Sequence, residues 1–394
     1  MIGLAWVLLA GSNLEFTTGY AALTPPEPLP LGGYTERKGA NLQPGGEELG
    51  VRVLGLRQGR TMFVASCDLL TIPESLRAAV AERLPAGTTL FLHATHTHCA
   101  PDSQMLNDRM TIPIPGIATF RKRWMTWYAE RIAASILAAD KGWQPVRSAE
   151  VLTWRMARNR GRRKFAQPDT LATMIQLNGR NIWFNYAAHP VNYDPTELQT
   201  RRDWPSAVDA QIISQGALGD VSPAMPGPTP EARIQQFRRD VRGGLARASR
   251  APLDLKFDIF DQPYDCAKPQ PHKNFAKEYG VTPELAQTVV NRFAPPQGRI
   301  TGFRLGKLAV IGVGGEPSAE LGRQIARQGR VLGFTWTLPV AHVNGWIGYV
   351  LSPEDYDRGG YEANLQLHGR DSGTQMVERV AQALNALAHP PARR

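Results

Sequence analysis

An α/β fold, a mixed β-sheet layered with helices in a single domain, is what this sequence predicts. Short apolar or alternating runs of strand length take turns with segments of helical period. Turn signals at Gln58-Gly59-Arg60, Asn178-Gly179 and Gly306-Lys307 each separate two such runs, as hairpins require. The 394 residues contain neither an internal repeat nor a low-complexity linker, so residues 1–394 read as one domain.

The elements follow in order. The opening MIGLAWVLLAGS is far too short to span a bilayer. It reads as a buried first strand or as the core of an export signal without its basic start, which leaves the compartment open between cytoplasmic and exported. Residues 24–34, rich in proline and glycine, form a loop. Residues 51–56 and 61–70 pair as strands. Residues 73–84 place Leu76, Val80 and Leu84 on one helical face. A strand at 88–94 and a long amphipathic helix at 120–139 come next. Strands at 171–177 and 181–187 flank Asn178-Gly179, and residues 206–218 lead to Gly219-Asp220-Val221-Ser222-Pro223. A basic helix covers 230–248, and a strand covers 253–262. Residues 263–300, with several prolines and a helix at 283–293, read as an insertion over the mouth of a site. A second hairpin at 301–313, a helix at 317–327 and a closing helix at 372–388 complete the chain. No later segment is apolar enough for a transmembrane segment.

Composition narrows the function. Net charge is +10, which favours acidic substrates or anionic surfaces. The densest basic run, Arg158 to Lys164, lacks interleaved aromatics and reads as a solvated or substrate-facing loop, so no nucleic acid partner is expected. Cys67, Cys99 and Cys266 are far apart and form no C-x-x-C pair, which indicates neither a zinc knuckle nor a disulfide framework. Oligomeric state is not legible.

The chemistry lies in histidines delivered by strands. His93-Ala94-Thr95-His96-Thr97-His98 ends an apolar strand and holds three of the chain's eight histidines. Alternation puts His96 and His98 on one face of an extended chain and His93 on the other. The end of a strand in an α/β sheet is also where ligands collect. His189 leaves another apolar strand in Asn185-Tyr186-Ala187-Ala188-His189-Pro190. Glu316 follows the glycines of Gly312-Val313-Gly314-Gly315 and precedes Pro317. Alone, each has an ordinary reading: a core histidine, or an acid favoured at a helix start. Together, two or three histidines and a carboxylate at strand ends make a catalytic zinc ligand set with one position open for water.

At these residues the chain resembles the catalytic domain of the neutral/alkaline ceramidases. Ala94 to Pro101 is similar to the family's A-T-H-T-H-S/T-x-P, Asn185 to Pro190 to N-Y-x-x-H-P, and Gly219 to Pro223 to G-D-V-S-P. Ala22 to Pro26 resembles D-I-T-P-P, with alanine and leucine in its first two places. Asp203-Trp204-Pro205, Gly315-Glu316-Pro317, Gly348-Tyr349-Val350, Pro353 to Tyr356 and Gly360-Tyr361-Glu362 resemble further family elements, in family order over roughly residues 18–390. The resemblance implies one zinc ion per chain on His96, His189, Glu316 and Tyr349. It implies His98 as a proton-transfer or hydrogen-bonding group and Ser222 at the reacting centre. Tyr361 and Arg160 would orient the substrate or the oxyanion. It further implies hydrolysis of an N-acyl amide bond by metal-activated water, on a small-molecule or lipid-like acyl substrate.

The sequence departs from the pattern at Ala224 after Ser-Pro, at Cys99 after the histidines and at His93. A soft thiolate at Cys99 can ligate zinc, whereas a small packed thiol is the ordinary reading. The long ceramidases carry a C-terminal immunoglobulin-like domain; the resemblance here is to the short form that has only the catalytic domain, so the chemistry is expected to persist without the ceramide specificity. Two other functions fit the same residues: a zinc-dependent esterase, lactonase or phosphoesterase, and an inactive ligand-binding homologue.

Overall fold

The computed structural model describes residues 14–390; the apolar opening lies outside the described residues. The expected mixed sheet is divided into three, each closed on its outer face by helices. In the first sheet the strands run in the order Thr89–Ala94, Arg60–Cys67, Gly50–Gln58, Glu15–Ala22 and Gln144–Pro145. In the second the order is Ile212–Gln215, Arg180–Tyr186, Leu171–Leu177, Ala149–Arg155 and Ser249–Pro252. The third runs Phe257–Asp265, Gln297–Leu305, Leu308–Val313 and Trp336–Val340.

Side-chain alternation explains the layers. In Leu308–Val313, Leu308 and Val310 face a central core that also takes Phe91 and Val64 from the first sheet and Trp183 and Ile212 from the second. Ala309, Ile311 and Val313 face the other way, against the helices Ala319–Val331 and Ser372–Ala388. The first sheet repeats the scheme: Phe91 points to the centre, while Leu90 and Leu92 pack on Lys122–Ala139. The second turns Phe184 and Tyr186 toward Pro230–Ala246. Three inner faces thus share one core, and three helical layers cover the outside.

The three expected hairpins form, with Val51 opposite Cys67, Leu177 opposite Arg180 and Leu305 opposite Leu308. Asn178 and Gly179 both take positive φ, 50° and 75°, the turn for which that pair is suited. Strands that were not expected include Glu15–Ala22, Ala149–Arg155, Ile212–Gln215 and Trp336–Val340. The strand placed at 253–262 begins at Phe257 instead. The helix expected from 317 starts at Ala319, because the Ser318 hydroxyl caps it by accepting from the amide of Leu321.

Each sheet is largely antiparallel but contains one parallel pair. These are Arg60–Cys67 with Thr89–Ala94, Arg180–Tyr186 with Ile212–Gln215, and Leu308–Val313 with Trp336–Val340. Parallel neighbours end at the same edge, so each sheet sends two loops out together, and these loops build the site.

Candidate metal centre

All six strands of these three parallel pairs contribute. His96 and His98 follow Thr89–Ala94, and the carbonyl of Leu70 follows Arg60–Cys67. His189 follows Arg180–Tyr186, and the Gly219 to Ser222 loop follows Ile212–Gln215. Glu316 follows Leu308–Val313, and His342 follows Trp336–Val340.

The imidazoles are held by their outer nitrogens. His96 Nδ1 donates to the Leu70 carbonyl at 2.7 Å, His189 Nδ1 to that of Val221 at 2.9 Å, and His98 Nδ1 to that of Gly33 at 3.1 Å. A proton fixed on each Nδ1 makes each Nε2 an acceptor. These lone pairs converge. His98 Nε2 lies 3.4 Å from His96 Nε2, and Glu316 Oε2 lies 3.3 Å from His189 Nε2 and 3.7 Å from His96 Nε2. The other carboxylate oxygen accepts from the indole N–H of Trp346 at 3.0 Å. Glu316 Oε2 is buried and has no hydrogen-bond donor. A buried carboxylate oxygen that faces imidazole acceptors without a donor is costly, and such convergent acceptors are what a cation's ligands look like. Two triads have the required proximity, His96–His98–His189 and His96–Glu316–His342. The residues present therefore fit a metal ion.

Backbone geometry shows how firmly the loops are set. His96 and His342 both adopt positive φ, 67° and 58°, which is uncommon for residues other than glycine. Their rings stack with centroids 4.0 Å apart and planes 18° apart. A short ribbon pairs Glu316 directly with Tyr349. Glu316 is thus a strand residue ahead of the Ser318 cap, not an acid of the helix's first turn, where Glu320 stands instead. The Gly219 amide donates to the Pro317 carbonyl at 2.9 Å, and Asp220 Oδ1 accepts from the Ala319 amide at 2.8 Å, tying the two loops together.

Burial sets the protonation. It pushes His96 down, and it pushes His98 well down with help from the other histidines. His189 falls to about 3, through burial and then the charge of Arg162. Tyr349 is raised, by burial and then by Glu316. Burial opposes ionisation of Glu316 as well, but the histidines around it hold it well below the usual carboxylate range. The cluster shares its protons, and neutral imidazoles are the direction burial dictates. The charge of Glu316 is then balanced by Arg162 and the Trp346 donor.

The remaining expected residues fall around this cluster. Tyr349 is buried beside Glu316, and the ring of Tyr361, more than half exposed, lies 5.7 Å from it. Ser222 pairs with Arg160 in the ribbon of Asn159–Gly161 and Val221–Pro223, next to the carbonyl that holds His189. The side chain of Arg160 is exposed. Arg162, two residues on, reaches the cluster: its Nη2 donates to His189 Nε2 at 3.0 Å, and its Nε lies 3.4 Å from Glu362 Oε1. The basic run is only partly solvated, since Arg158 also pairs with Asp240 at 2.6 Å. Cys99 is a packed thiol that burial pushes up to about 12, and it belongs to neither triad. His93 points to the central core and stacks on Trp183. All three cysteines are free.

Sequence reading missed Arg162, Trp346 and His342. For His342 a signal existed: Ala341-His342 leaves an apolar strand just as Ala188-His189 does, but the strand itself, Trp336–Val340 with Pro339 inside it, was not recognised.

Comparison with solved structures finds the same fold in a neutral ceramidase from Pseudomonas aeruginosa, with a TM-score of 0.79 and 17% identity over 97% of this chain and 75% of that one. A ceramidase complexed with C2 gives 0.76 and 16% identity over 95% of this chain and 75% of that one. No family profile matches the sequence, and no curated protein sequence matches it.

Proposed function

Starting from the fold shared with neutral ceramidase, we propose that this chain is a zinc-dependent hydrolase that cleaves the amide bond of an N-acyl, lipid-like substrate. The observation that carries the reading is the convergence of the His96 and His189 Nε2 atoms on Glu316 Oε2, with both Nδ1 atoms fixed by carbonyls. His96, His189, Glu316 and Tyr349 would hold one zinc ion. When bound, zinc supplies Lewis-acid polarisation of the acyl carbonyl and brings the pKa of water to about 7.

The chain's own groups do the rest. His98 Nε2, beside the donor set and without a fixed proton, takes a proton from the attacking water and returns it to the leaving amine. Arg162, whose guanidinium is kept charged by Tyr349 and Glu362 against the pull of burial, stands where negative charge develops on the acyl oxygen. Tyr361 and Arg160, both exposed at the rim, orient the substrate, and Ser222 binds it at the reacting centre. Residues 263–300 form one wall of the mouth. In support, their helix Pro283–Phe293 packs in one cluster with Leu367 and Trp346, and Trp346 is the residue that holds Glu316.

Elemental analysis of the purified protein and of His96→Ala tests the reading. About one zinc per chain, lost in the variant, together with release of amine from an N-acyl fluorogenic amide, is expected. Zinc retained without turnover of any N-acyl amide would move the assignment to ester or lactone hydrolysis. Absence of metal in both proteins after incubation with zinc would leave only ligand binding.

A further inference from the structure

A concave cavity of about 450 Å³ lies between the second sheet and the helix Ala319–Val331, and none of its lining residues belongs to the histidine cluster. Its volume falls within the roughly 300–1,000 Å³ of small-molecule sites. Four arginines converge on it: Arg155 from the strand Ala149–Arg155, and Arg323, Arg327 and Arg330 from the helix. The three helical arginines follow a spacing that puts them on one face, where like charges repel. Glu320 offsets two of them, pairing with Arg323 at 2.7 Å and Arg327 at 2.9 Å. Asp169 is the one carboxylate in the lining. Among the described residues, Arg155 and Arg330 make no salt bridge; Arg155 donates to the Thr170 hydroxyl at 3.3 Å. Positive charge therefore remains in excess inside a concave surface, where guanidinium groups recognise oxyanions by paired hydrogen bonds.

Three residues of its lining are close in sequence to those of the metal centre. Ala187 lies two residues before His189, Ala217 two before Gly219, and Ala319 three after Glu316. We infer that the cavity binds a small, soluble, multiply charged oxyanion, and that the bound ion braces from behind the three segments that carry the site. The concave shape and its size favour a small ion over a flat membrane surface. This inference stands independently of the reaction assigned to the centre.

Calorimetric titration of the full chain with inorganic pyrophosphate, and separately with citrate, tests it. Expected is saturable binding of one ion per chain that weakens with added salt and falls about tenfold or more in Arg155→Ala/Arg330→Ala. Both arginines are exposed, so the variant should keep the wild-type circular dichroism; should it not, Arg330→Ala alone must show an intermediate loss. Pyrophosphate binding without citrate binding assigns a phosphate ligand, and the reverse assigns a carboxylate. Hydrogen exchange at Ala187, Ala217 and Ala319 should slow with the ion bound. No saturable binding at millimolar concentrations, equal binding by the double variant, binding only to anionic vesicles, or binding with unchanged exchange at those amides would overturn the inference.

Discussion

The indole N–H of Trp346 donates to Glu316 Oε1 at 3.0 Å and so turns the other carboxylate oxygen, Oε2, onto the histidines. Glu74 in turn accepts from the Trp346 amide at 3.0 Å and keeps the tryptophan in place. Trp346→Phe keeps the ring and removes the donor. Zinc affinity, measured by competition with a chromogenic chelator, should fall about 10- to 100-fold with the fold intact. An unchanged affinity would show that the carboxylate is oriented by its backbone alone.

Gly219 has no room for a side chain. A Cβ there would strike the Glu316 carbonyl and come within 3.0 Å of the Pro317 carbonyl, both backbone atoms that cannot swing aside. Gly219→Ala should cost about 1–3 kcal/mol in urea denaturation and weaken metal binding through the displaced Glu316 segment. Full stability with normal metal content would count against close coupling of the two loops.

His93 is buried, and its Nε2 has no partner. Burial depresses it to about 4 from the ordinary 6.5. Its depressed folded value means that the unfolded chain binds the proton first. Stability is therefore full above about pH 6.5 and is lost as pH falls toward 4, at up to 1.36 kcal/mol per pH unit for this one group. His93→Leu should flatten that part of the stability profile. Urea midpoints at pH 7 and pH 5 measure it; an unchanged difference between the two pH values would exclude His93 as a source.

Arg162 faces Glu362, which is almost fully buried, at 3.4 Å. Arg162→Met leaves that carboxylate without its cation and should destabilise the protein by roughly 3 kcal/mol, less to the extent that the arginine is itself partly exposed. Glu362→Gln in the same chain should recover part of the loss. If the double variant is no more stable than the single one, the cost belongs to the His189 contact instead.

Much of the layered fold was legible because it rests on short-range rules. Asn178-Gly179 fixes its hairpin through positive φ, and the apolar run at Leu90 to Ala94 is a strand by composition. Glu15–Ala22 was not legible: Thr17, Thr18 and Gly19 carry little apolar signal, and the strand exists because Gly50–Gln58 pairs along its whole length. In the site, His96, His189 and Glu316 announced themselves at strand ends, and the structure brings them together. Arg162 did not, because its inward turn depends on the pairing of Val221 with Gly161, a contact between segments sixty residues apart. His342 was hidden by Pro339, which argues locally against the strand that delivers it.

His96, His189 and Glu316 follow strands of three different sheets, and the fourth proposed ligand, Tyr349, pairs with Glu316 in a separate short ribbon. No single sheet delivers the complete set. Ion capture can then neither seed folding nor rescue a part of it. A bound ion would act as a latch that closes after the last loop has docked, its free energy spread over the three sheets rather than over one segment. Loosening any one of the three sheets would then release the ion, which would make metal retention a readout of the integrity of the entire fold.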